Sequence, residues 1–511
     1  MHFNSIGKEF LKMKKTIWIL VLFLTLSTLD AAPALAPLRV KGDKVYAGHK
    51  EIRLRGINWG WFHDANTVYT EEDMANQAEW GANMLRLTIR YTDVANPDGT
   101  WNEEKARKVD EVINWAAKYG QYVILDMHEL PGGQTPIFYC YGGKMLFWTD
   151  KKYQQLTADL WKRIAKRYRS NPAVGAYELM NEPKTQPSNP ALCSRMQKEL
   201  LNAIRSVDPD KAVIITGDFA SVYSKSLTDT VKIDDPNVIY TIHYYSGFQG
   251  PWLRNCGERK EHLTGTRDWF LSECEFSIPA DGSVEEVVML LRTNKNKGKV
   301  WFDDVTMYDE NGKIIRHYEF NPGKRELCNF NIERTEAVGK LRYDAAVGHK
   351  APGSLLIENA ATSYNGWMNF RWEVEPGKKY KFSAWLKTEN ATGSSYVAAA
   401  LFGRPRLYTP DEIYGQLLAA KRFSQKHKVP IYVGEFGIAR KKDPKRQAED
   451  VVRRIRAFER AGFHWSYWNY KATDKIEGTE IVVQDRKTSR ERFRNLTLIE
   501  ALKEGWKLNK K

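Results

Sequence analysis

Short apolar runs alternate with amphipathic segments along the first half of the chain. The apolar runs have the length of strands and are Ile52–Asn58, Asn83–Ile89, Tyr122–Met127, Val174–Leu179, Val213–Thr216 and Val238–His243. The segments between them carry apolar residues at helical spacing, as in Ala106–Tyr119, Gln154–Tyr168 and Met196–Val207. Repeated strand–helix units build parallel sheets with helices outside, so this half of the chain predicts such a sheet.

The alternation stops after Tyr245, and the pattern of residues 251–405 is strand-like throughout. The strand-like runs of this stretch are Val287–Leu291, Lys299–Met307, Ser354–Ile357, Phe370–Val374, Tyr380–Trp385 and Tyr396–Phe402. Asn311-Gly312 is a strong signal for a tight turn between two strands. Residues 251–405 are therefore predicted to form an all-β domain.

Helix–strand alternation resumes after residue 405. A helical pattern from Thr409 to Lys426 precedes the strand-like run Ile431–Val433, and a second over Arg446–Arg460 precedes His464–Trp468. Six strands before the break and two after it make eight. The predicted fold class is therefore α/β, a (β/α)8 TIM barrel with the all-β jelly-roll domain inserted after the sixth strand.

The two barrel parts are residues 37–250 and 406–511, which together have a normal size for such a barrel with long loops. The rival fold, an open doubly wound sheet, normally carries a glycine-rich phosphate loop after its first strand. The first strand of this chain ends in Gly56-Ile57-Asn58-Trp59 without such a loop, which favours the barrel.

Residues 1–36 have the layout of a secretory signal peptide, because Lys14 and Lys15 precede the apolar run Ile17–Leu26 and small residues follow. Met13 is the more natural start of this leader. The sites that fit cleavage are Ala34-Leu35-Ala36 and Ala32-Pro33-Ala34. The run is shorter than the ~20 residues of a membrane span, although an uncleaved anchor is the alternative. We expect a secreted or periplasmic protein without stable membrane insertion.

Five cysteines in an oxidising compartment allow disulfide bonds, and their odd number leaves at least one thiol free. Cys140 and Cys193 lie in the first barrel part, and a bridge between them is one hypothesis. Cys256, Cys274 and Cys328 lie in the predicted all-β domain, where the spacing does not fix a pairing.

The chain has 511 residues, and 78 Lys and Arg against 63 Asp and Glu give it a net charge of +15. The basic residues are spread among the acidic ones, and no zinc-finger, RRM or basic-zipper spacing accompanies them. We therefore expect a basic solvated surface and no nucleic-acid partner. We also expect a monomer. The 17 tryptophans indicate a large aromatic core, or platforms that stack on flat ligands such as sugar rings.

Active-site residues of a (β/α)8 barrel lie at the C-terminal ends of its strands. The polar and aromatic residues at these ends are Arg86, His128, Asn181, Glu182, His243, Tyr245, Glu435 and Trp468. An acidic side chain directly after an apolar strand is poorly explained by core packing, and Glu182 and Glu435 both have that position. Paired carboxylates are what glycosidic cleavage needs, ~5–5.5 Å apart for retention and ~6.5–9.5 Å apart for inversion.

Taken one at a time, several of these residues also have a purely structural explanation. His128 and His243 are alternatively core histidines, and Arg86 is alternatively a structural salt-bridge partner, with Arg90 as a rival for its role. Residues that line further sugar subsites or simply pack are Trp59, Trp61, Tyr139, Tyr141 and Trp148. No Cys/His cluster has the spacing of a metal site, so neither a metal nor a cofactor is predicted.

The motifs Asn181-Glu182-Pro183 at the fourth strand and Glu435-Phe436-Gly437 at the seventh resemble those of glycoside hydrolase family 5, the cellulase-like retaining barrels. The resemblance covers roughly residues 40–250 and 406–505. It implies that Glu182 is the general acid/base and that Glu435 is the nucleophile.

The resemblance also implies how the other strand-end residues bind and support the substrate. Arg86 would lie near the nucleophile and keep it ionised, and Tyr245 would hydrogen-bond it. Asn181 would hold the sugar 2-hydroxyl, and Trp468 would lie under the sugar at the cleavage point. The family's two site histidines match His128 and His243.

Parts of residues 251–405 resemble jelly-roll carbohydrate-binding modules of the galactose-binding-like type. These parts are Trp301-Phe302-Asp303-Asp304-Val305, Phe320-Asn321-Pro322-Gly323, Pro376-Gly377 and Tyr380–Trp385. Their order is reversed relative to such modules, which suggests a circular permutation with the old ends joined at Asn311-Gly312. The hypothesis predicts that Lys299–Met307 and Arg316–Phe320 are adjacent strands. A purely structural β domain is the alternative to a sugar-binding module.

The sequence therefore predicts a secreted retaining glycoside hydrolase that cleaves a β-linked polysaccharide by double displacement, as an endo-β-1,4-glucanase (cellulase). A β-mannanase or another β-glucanase is the alternative within this class, since the fold hosts several specificities. A non-catalytic polysaccharide-binding protein is the alternative from another class, and the presence of both Glu182 and Glu435 argues against it. The expected partner is a β-glucan or a related polysaccharide.

Overall fold

A computed structural model of the chain describes residues 35–60, 62, 66–135, 145–185, 188–218, 227–246, 252–256, 261–262, 265–321, 330–334, 339–369, 371–404, 406–438, 443–473 and 478–510. The apolar run of the predicted signal peptide lies outside the described residues, as do Trp61, Tyr139, Cys140, Tyr141 and Cys328. Among the described residues, no helix combines the length and the apolar character that crossing a membrane requires.

The N-terminal part begins with a small antiparallel sheet and continues into strand–helix units. The small sheet consists of β1 (Leu38–Lys41), β2 (Lys44–Ala47) and β3 (Lys50–Ile52). The strands that follow are β4 (Arg55–Trp59), β5 (Met84–Arg90), β6 (Tyr122–Glu129), β7 (Val174–Glu178), β8 (Ala212–Thr216) and β9 (Val238–Tyr244). The helices between them are α1 (Glu71–Trp80), α2 (Glu103–Lys118), α3 (Lys151–Tyr168) and α4 (Pro190–Arg205).

The strands after β9 pair antiparallel with one another in a sheet of eleven strands within the described ranges. They are β10 (Trp252–Cys256), β11 (Glu261–His262), β12 (Gly265–Ser277), β13 (Glu286–Tyr308), β14 (Ile314–Tyr318), β15 (Phe330–Arg334), β16 (Gly339–Asp344), β17 (Ser354–Asn369), β18 (Trp372–Glu373), β19 (Lys379–Ala391) and β20 (Ser394–Phe402). Strand β13 is the centre of the sheet, because it pairs with β14, β17, β18, β19 and β20. A hydrophobic core of its own, which includes Val287, Phe302 and Leu401, stabilises this sheet.

The C-terminal part returns to strand–helix units. Its elements are α5 (Pro410–His427), β21 (Ile431–Phe436), α6 (Pro444–Ala461), β22 (His464–Tyr467), β23 (Lys471–Thr473), β24 (Val482–Gln484), β25 (Glu491–Arg494) and α7 (Leu496–Trp506). Strands β23–β25 form a separate small sheet beside the barrel strands.

Eight parallel strands close into a barrel in the order β21-β22-β4-β5-β6-β7-β8-β9. Strand β21 pairs with β9 on one side and with β22 on the other. The two barrel parts, which the eleven-stranded sheet separates in sequence, therefore pair directly with each other. The predicted (β/α)8 barrel is confirmed. Its strands are buried on both faces, as expected when helices cover a barrel of parallel strands.

Local signals at the helix ends agree with the barrel. The Thr70 hydroxyl accepts a hydrogen bond from the Asp73 backbone N–H, and the Asp73 carboxylate accepts one from the Thr70 backbone N–H, which makes a capping box at the start of α1. Thr409 and Glu412 form the same arrangement at the start of α5, with Pro410 in the first turn. Each box satisfies backbone N–H groups that a helix start leaves without partners.

Two expectations are corrected. The predicted strands Val287–Leu291 and Lys299–Met307 belong to the single strand β13, whose register shifts between Thr293 and Gly298. The predicted Cys140–Cys193 bridge is wrong, because Cys193 is a free thiol buried in α4, where it contacts the Gln197 side chain. Burial raises the pKa of the Cys193 thiol well above its ordinary value.

One prediction of the permutation hypothesis is confirmed. Strand β14 pairs with the end of β13, with Val305 opposite Tyr318 and Met307 opposite Arg316, so the two predicted runs are adjacent strands. The turn that joins these strands contains Gly312 in the left-handed conformation (φ 78°), which favours glycine. The jelly-roll assignment and the permutation stay predictions.

Candidate active site

The predicted site residues come together within the barrel and at one end of it. Asn181 and Glu182 follow β7, Tyr245 follows β9 and Trp468 follows β22, while Glu435 lies next to the end of β21. The other members lie within barrel strands and are Arg86, His128 and His243. Because the barrel strands are parallel, their carboxyl ends meet at one opening, which is where sequence reasoning placed the site.

The two candidate catalytic carboxylates are joined by one imidazole. His243 Nδ1 lies 2.6 Å from Oε1 of Glu182 and 3.5 Å from Oε2 of Glu435. A carboxylate oxygen of each glutamate and a ring nitrogen of His243 all lie within 4.8 Å of one another. The two carboxyl groups therefore face each other across a short gap.

Glu182 has the surroundings of a general acid. Burial raises the pKa of its carboxyl to about 8, and the nearby Arg86 guanidinium only partly opposes that shift. Its backbone adopts φ 40°, a left-handed conformation that is uncommon for a residue with a side chain. A carboxyl that keeps its proton at neutral pH is suited to protonate a leaving group.

Glu435 is held by two hydrogen-bond donors, one from within β5 and one from directly after β9. Arg86 NH1 donates to its Oε1 at 2.7 Å, and the Tyr245 hydroxyl donates to its Oε2 at 2.8 Å. Each oxygen therefore accepts a hydrogen bond from a fixed donor, which aims the carboxylate. Gly434 lets the strand pass close to its neighbours, since a Cβ there would lie 2.8 Å from Thr241 Oγ1 and 3.1 Å from His243 Nε2.

Arg86 is held by acidic residues that sequence reasoning missed. Glu178 accepts from its Nε at 2.7 Å and from NH2 at 3.0 Å, and Asp126 lies 3.1 Å from NH2. Burial alone would lower the pKa of Arg86, but the carboxylates of Asp126, Glu178 and Glu435 raise it well above its ordinary value. Arg90, the rival from sequence, instead pairs with Glu129 at 3.0 Å.

His128 and Asn181 belong to a hydrogen-bonded chain that starts at Asp126. Asp126 Oδ2 lies 2.6 Å from His128 Nδ1, and Asn181 Nδ2 lies 3.2 Å from His128 Nε2. Arg86 NH2 donates to Oδ1 of Asn181 at 2.9 Å, so the orientation of that amide is fixed. Burial lowers the pKa of His128 to about 3 and that of His243 to about 4, so both rings are neutral near pH 7.

The Trp468 indole stacks on the His128 ring, with centroids 5.6 Å apart and planes inclined by 10°. The peptide bond between Trp468 and Asn469 is cis. Gly60 lies close against the indole, since a Cβ there would come within 2.6 Å of its Cη2 atom. These contacts fix a flat aromatic surface at the end of β22, beside the two carboxylates.

Two buried side chains support the site from outside it. Gln134 Nε2 donates to the carbonyl oxygens of His128 at 2.9 Å and Asn181 at 2.8 Å. Arg454, on α6, donates to the carbonyl oxygens of Tyr244 at 3.3 Å and Ser246 at 2.8 Å, the residues that flank Tyr245. No strand-end signal marks either residue, and only the three-dimensional contacts reveal them.

Two of the five aromatic residues considered for further sugar subsites are buried in the protein, and the other three lie outside the described residues. Trp59 is fully buried and stacks on Tyr69 with ring centroids 4.4 Å apart, so it belongs to the core. Trp148 is buried, and its indole N–H donates to the Gln134 carbonyl oxygen at 2.9 Å. Trp61, Tyr139 and Tyr141 lie outside the described residues.

A closed parallel barrel with two adjacent carboxylates at its opening defines the architecture of a barrel glycoside hydrolase. A family model, cellulase (glycosyl hydrolase family 5), matches residues 45–312. The chain therefore belongs to this family, as the resemblance of its motifs implied. The matched span includes Glu182 and ends before Glu435.

Known proteins similar to this chain include a beta-xylosidase and an endoglucanase. A beta-xylosidase of Phanerodontia chrysosporium is 34% identical over 189 residues, which cover 36% of this chain and 39% of that protein. Endoglucanase C of Acetivibrio thermocellus is 30% identical over 185 residues, which cover 36% of this chain and 52% of that protein. The matches thus span about two fifths to half of these relatives.

Solved structures similar to this chain include that of Thermotoga maritima Cel5A in complex with cellobiose. That structure is 20% identical to this chain, covers 88% of it and 96% of the solved chain, and has a TM-score of 0.47.

Proposed function

We propose that this protein hydrolyses internal β-1,4 linkages of a glucan chain with retention of configuration at the anomeric carbon. The observation that carries the proposal is the close approach of Glu182 and Glu435, each of which places one carboxylate oxygen within 4.8 Å of the other beside His243. That close approach supports the geometry of retaining glycosidases, whose two carboxyl groups are closer together than the pair that flanks a water in inverting ones.

In the first step, Glu435 attacks the anomeric carbon while Glu182 gives its proton to the glycosidic oxygen. The bond from the anomeric carbon to that oxygen breaks, and an ester bond to Glu435 forms. Arg86 and Tyr245 aim the attacking carboxylate through their hydrogen bonds to its two oxygens. The raised pKa of Glu182, about 8, supplies the proton at neutral pH.

In the second step, the deprotonated Glu182 takes a proton from water, and the water oxygen attacks the anomeric carbon. The ester bond breaks, Glu435 leaves as a carboxylate, and Glu182 is protonated again, so atoms and charge balance over the cycle. Neutral His128 and His243 add no positive charge that would hold Glu182 in its ionised form.

Asn181 is suited to bind the sugar 2-hydroxyl, because Arg86 and His128 fix its amide next to Glu182. The Trp468 indole is suited to lie under the sugar at the cleavage point. The choice of a β-1,4-glucan rests on the endoglucanase among the relatives, while the beta-xylosidase among them makes xylan the natural competitor in the assay.

The leader-like pattern of residues 1–36 supports secretion or delivery to the periplasm, where a polysaccharide is accessible. Expression of the full chain with N-terminal sequencing of the exported product tests this part of the proposal. A product in the culture medium or periplasm that begins after residue 34 or 36 supports it. A product retained in the cytoplasm with residues 1–36 intact contradicts it.

The activity is tested by sugar release from soluble cellulose, mannan and xylan. We expect the highest rate on cellulose, with products of many lengths early in the reaction, as internal cleavage requires. Glu435→Ala should lose roughly 10³-fold or more of this activity, whereas Glu449→Ala, an exposed acid on α6, should keep it. Preference for mannan or xylan would overturn the substrate, and an active Glu435→Ala protein would overturn the mechanism.

A further inference from the structure

The hairpin of β13 and β14 brings together a second group of polar side chains, far along the chain from the catalytic carboxylates. Thr306 lies directly opposite His317 in the register of these strands. Asp304, His317 and Glu319 each offer one ligand atom, and these three atoms lie within 4.8 Å of one another. Alternation along the strand places His317 and Glu319 on the same face.

The hydrogen bonds of His317 leave its Nε2 lone pair facing two carboxylates. Thr306 Oγ1 donates its single hydrogen to the carbonyl oxygen of Asp304 at 3.2 Å. The Thr306 hydroxyl oxygen also lies 2.8 Å from His317 Nδ1. Because the hydroxyl hydrogen is already used, the Nδ1–H group of His317 must be the donor in this second contact. In the neutral ring Nε2 is then an acceptor that faces two carboxylates, an arrangement that a bound cation would stabilise. The Lys350 ammonium lies 3.3 Å from the other oxygen of Asp304, Oδ2.

The distances around Nε2 fit a metal ion better than a proton. Nε2 lies 3.6 Å from Oδ1 of Asp304 and 3.4 Å from Oε1 of Glu319. Charge-assisted N–H···O hydrogen bonds are shorter, about 2.7–2.9 Å. Ligand atoms about 2.1 Å from a tetrahedral zinc ion are themselves about 3.4 Å apart, which matches both distances.

Each candidate ligand also has a neighbour that orients it. Thr306 holds His317 through Nδ1, His349 Nδ1 lies 2.6 Å from Oδ2 of Asp304, and Asn321 Nδ2 donates to Oε2 of Glu319 at 3.2 Å. Metal sites in proteins have such outer hydrogen bonds, which turn the ligand atoms toward the ion.

The backbone supports the same reading. Asp304 adopts φ 48°, and the pairing of β13 with β19 shifts register between Asp303 and Thr306, so Asp304 leaves the regular alternation. A strained residue that also carries a buried carboxylate is typical of a functional position. His317 and Glu319 are partly exposed, which leaves an entry path for an ion.

We propose that Asp304, His317 and Glu319 bind a divalent ion of the zinc class, with one coordination position open to water. An imidazole ligand favours zinc, cobalt or nickel over calcium and magnesium, which prefer oxygen ligands alone. The ion would join the end of β13 to β14 and so stabilise this hairpin. Sequence reasoning missed the group because the turn between β13 and β14 separates Asp304 from His317 and Glu319, and the three share no ligand-spacing motif.

The test is a zinc titration of the full-length protein after chelator treatment, followed by calorimetry and by thermal unfolding. The measurement uses the Glu182→Gln background, because Glu182, His243 and Glu435 are a second group that could hold an ion. We expect one zinc ion per chain and a rise in the unfolding temperature. His317→Ala should weaken zinc binding at least about tenfold, and Thr306→Val about tenfold, while the exposed His49→Ala leaves it unchanged.

Three results would overturn the proposal. Zinc binding that His317→Ala and Thr306→Val leave unchanged would place the ion elsewhere. Stronger binding of calcium than of zinc would assign an oxygen-only site. A proton on Nε2 of His317, seen by nitrogen-15 NMR at pH 7.5 with zinc present, would mean that a proton and not zinc lies between this nitrogen and the carboxylates. Nitrogen-15 NMR remains decisive even if His317→Ala fails to fold.

Discussion

His243 Nδ1 lies 2.6 Å from Oε1 of Glu182, so a neutral imidazole contacts the carboxyl that, in the proposed mechanism, gives and takes the catalytic proton. Burial lowers the pKa of His243 to about 4 and raises that of Glu182 to about 8. Both shifts favour the uncharged forms, and a neutral pair is the state in which Glu182 can act as an acid near pH 7.

The first prediction concerns the upper pH limit of activity. Glu182 must carry its proton in the first step, and it loses that proton as the pH rises through about 8. We expect kcat/KM on cello-oligosaccharides to fall about tenfold per pH unit above that value. A profile that stays level to pH 10 would contradict the role of Glu182 as the acid.

The second prediction concerns stability. In the unfolded chain Glu182 ionises near its ordinary value of about 4.3, and in the folded protein near 8. Between these values the unfolded state binds fewer protons, so this group lowers the free energy of unfolding as the pH rises. Glu182→Gln should therefore stabilise the protein by on the order of 1–3 kcal/mol at pH 7.5 and by little at pH 4.

Urea unfolding of both proteins at the two pH values checks this prediction. Glu449→Gln on the surface of α6 is the control, and it should change stability equally little at both. A Glu182→Gln protein that is less stable than the parent at pH 7.5 would show that the folded protein favours the charged carboxylate.

The third prediction concerns Arg454 as a positioning residue. It holds the carbonyl oxygens on both sides of Tyr245, whose hydroxyl donates to Glu435. Arg454→Lys should lower kcat roughly tenfold with little change in KM, because a single ammonium group replaces the two guanidinium nitrogens that hold the two carbonyl oxygens. The neighbouring Arg453→Lys is the control, since that side chain pairs with Glu449 outside the site.

A merely structural role for Arg454 would lower the unfolding temperature without changing kcat of the folded fraction. An unchanged kcat in Arg454→Lys would refute the positioning role.

Sequence reasoning could predict the site residues that lie at strand ends, and the reason is geometric. Parallel strands of a closed barrel bring Glu182 and Glu435 to one opening wherever they stand in the chain. Glu178 and Asp126 were missed because they lie inside buried strands, where sequence alone suggests packing. Their role follows only from the position of the Arg86 guanidinium between them.

Other features depend on contacts that no local pattern encodes. The bulge at Asn296 lets β13 continue as one strand, whereas the hydrophobic pattern predicted two runs, Val287–Leu291 and Lys299–Met307. Cys193 contacts Gln197 one turn later in α4, because both side chains lie on the buried face of this helix.

The fourth prediction concerns Gly60 and the aromatic surface of Trp468. A Cβ at position 60 would come within 2.6 Å of the indole, so Gly60→Ala should push Trp468 out of its stacked position over His128. We expect kcat/KM on cello-oligosaccharides to fall roughly tenfold or more. Gly415→Ala, where no atom lies within 4 Å of the added carbon, is the control and should keep full activity.

The central claim is that Glu435 attacks the sugar and that Glu182 serves as acid and then as base. Proton NMR of the first products released from a cello-oligosaccharide tests it most directly. The account predicts that the new reducing end appears first as the β-anomer and that mutarotation forms the α-anomer later. Initial release of the α-anomer would mean inversion and would contradict the account.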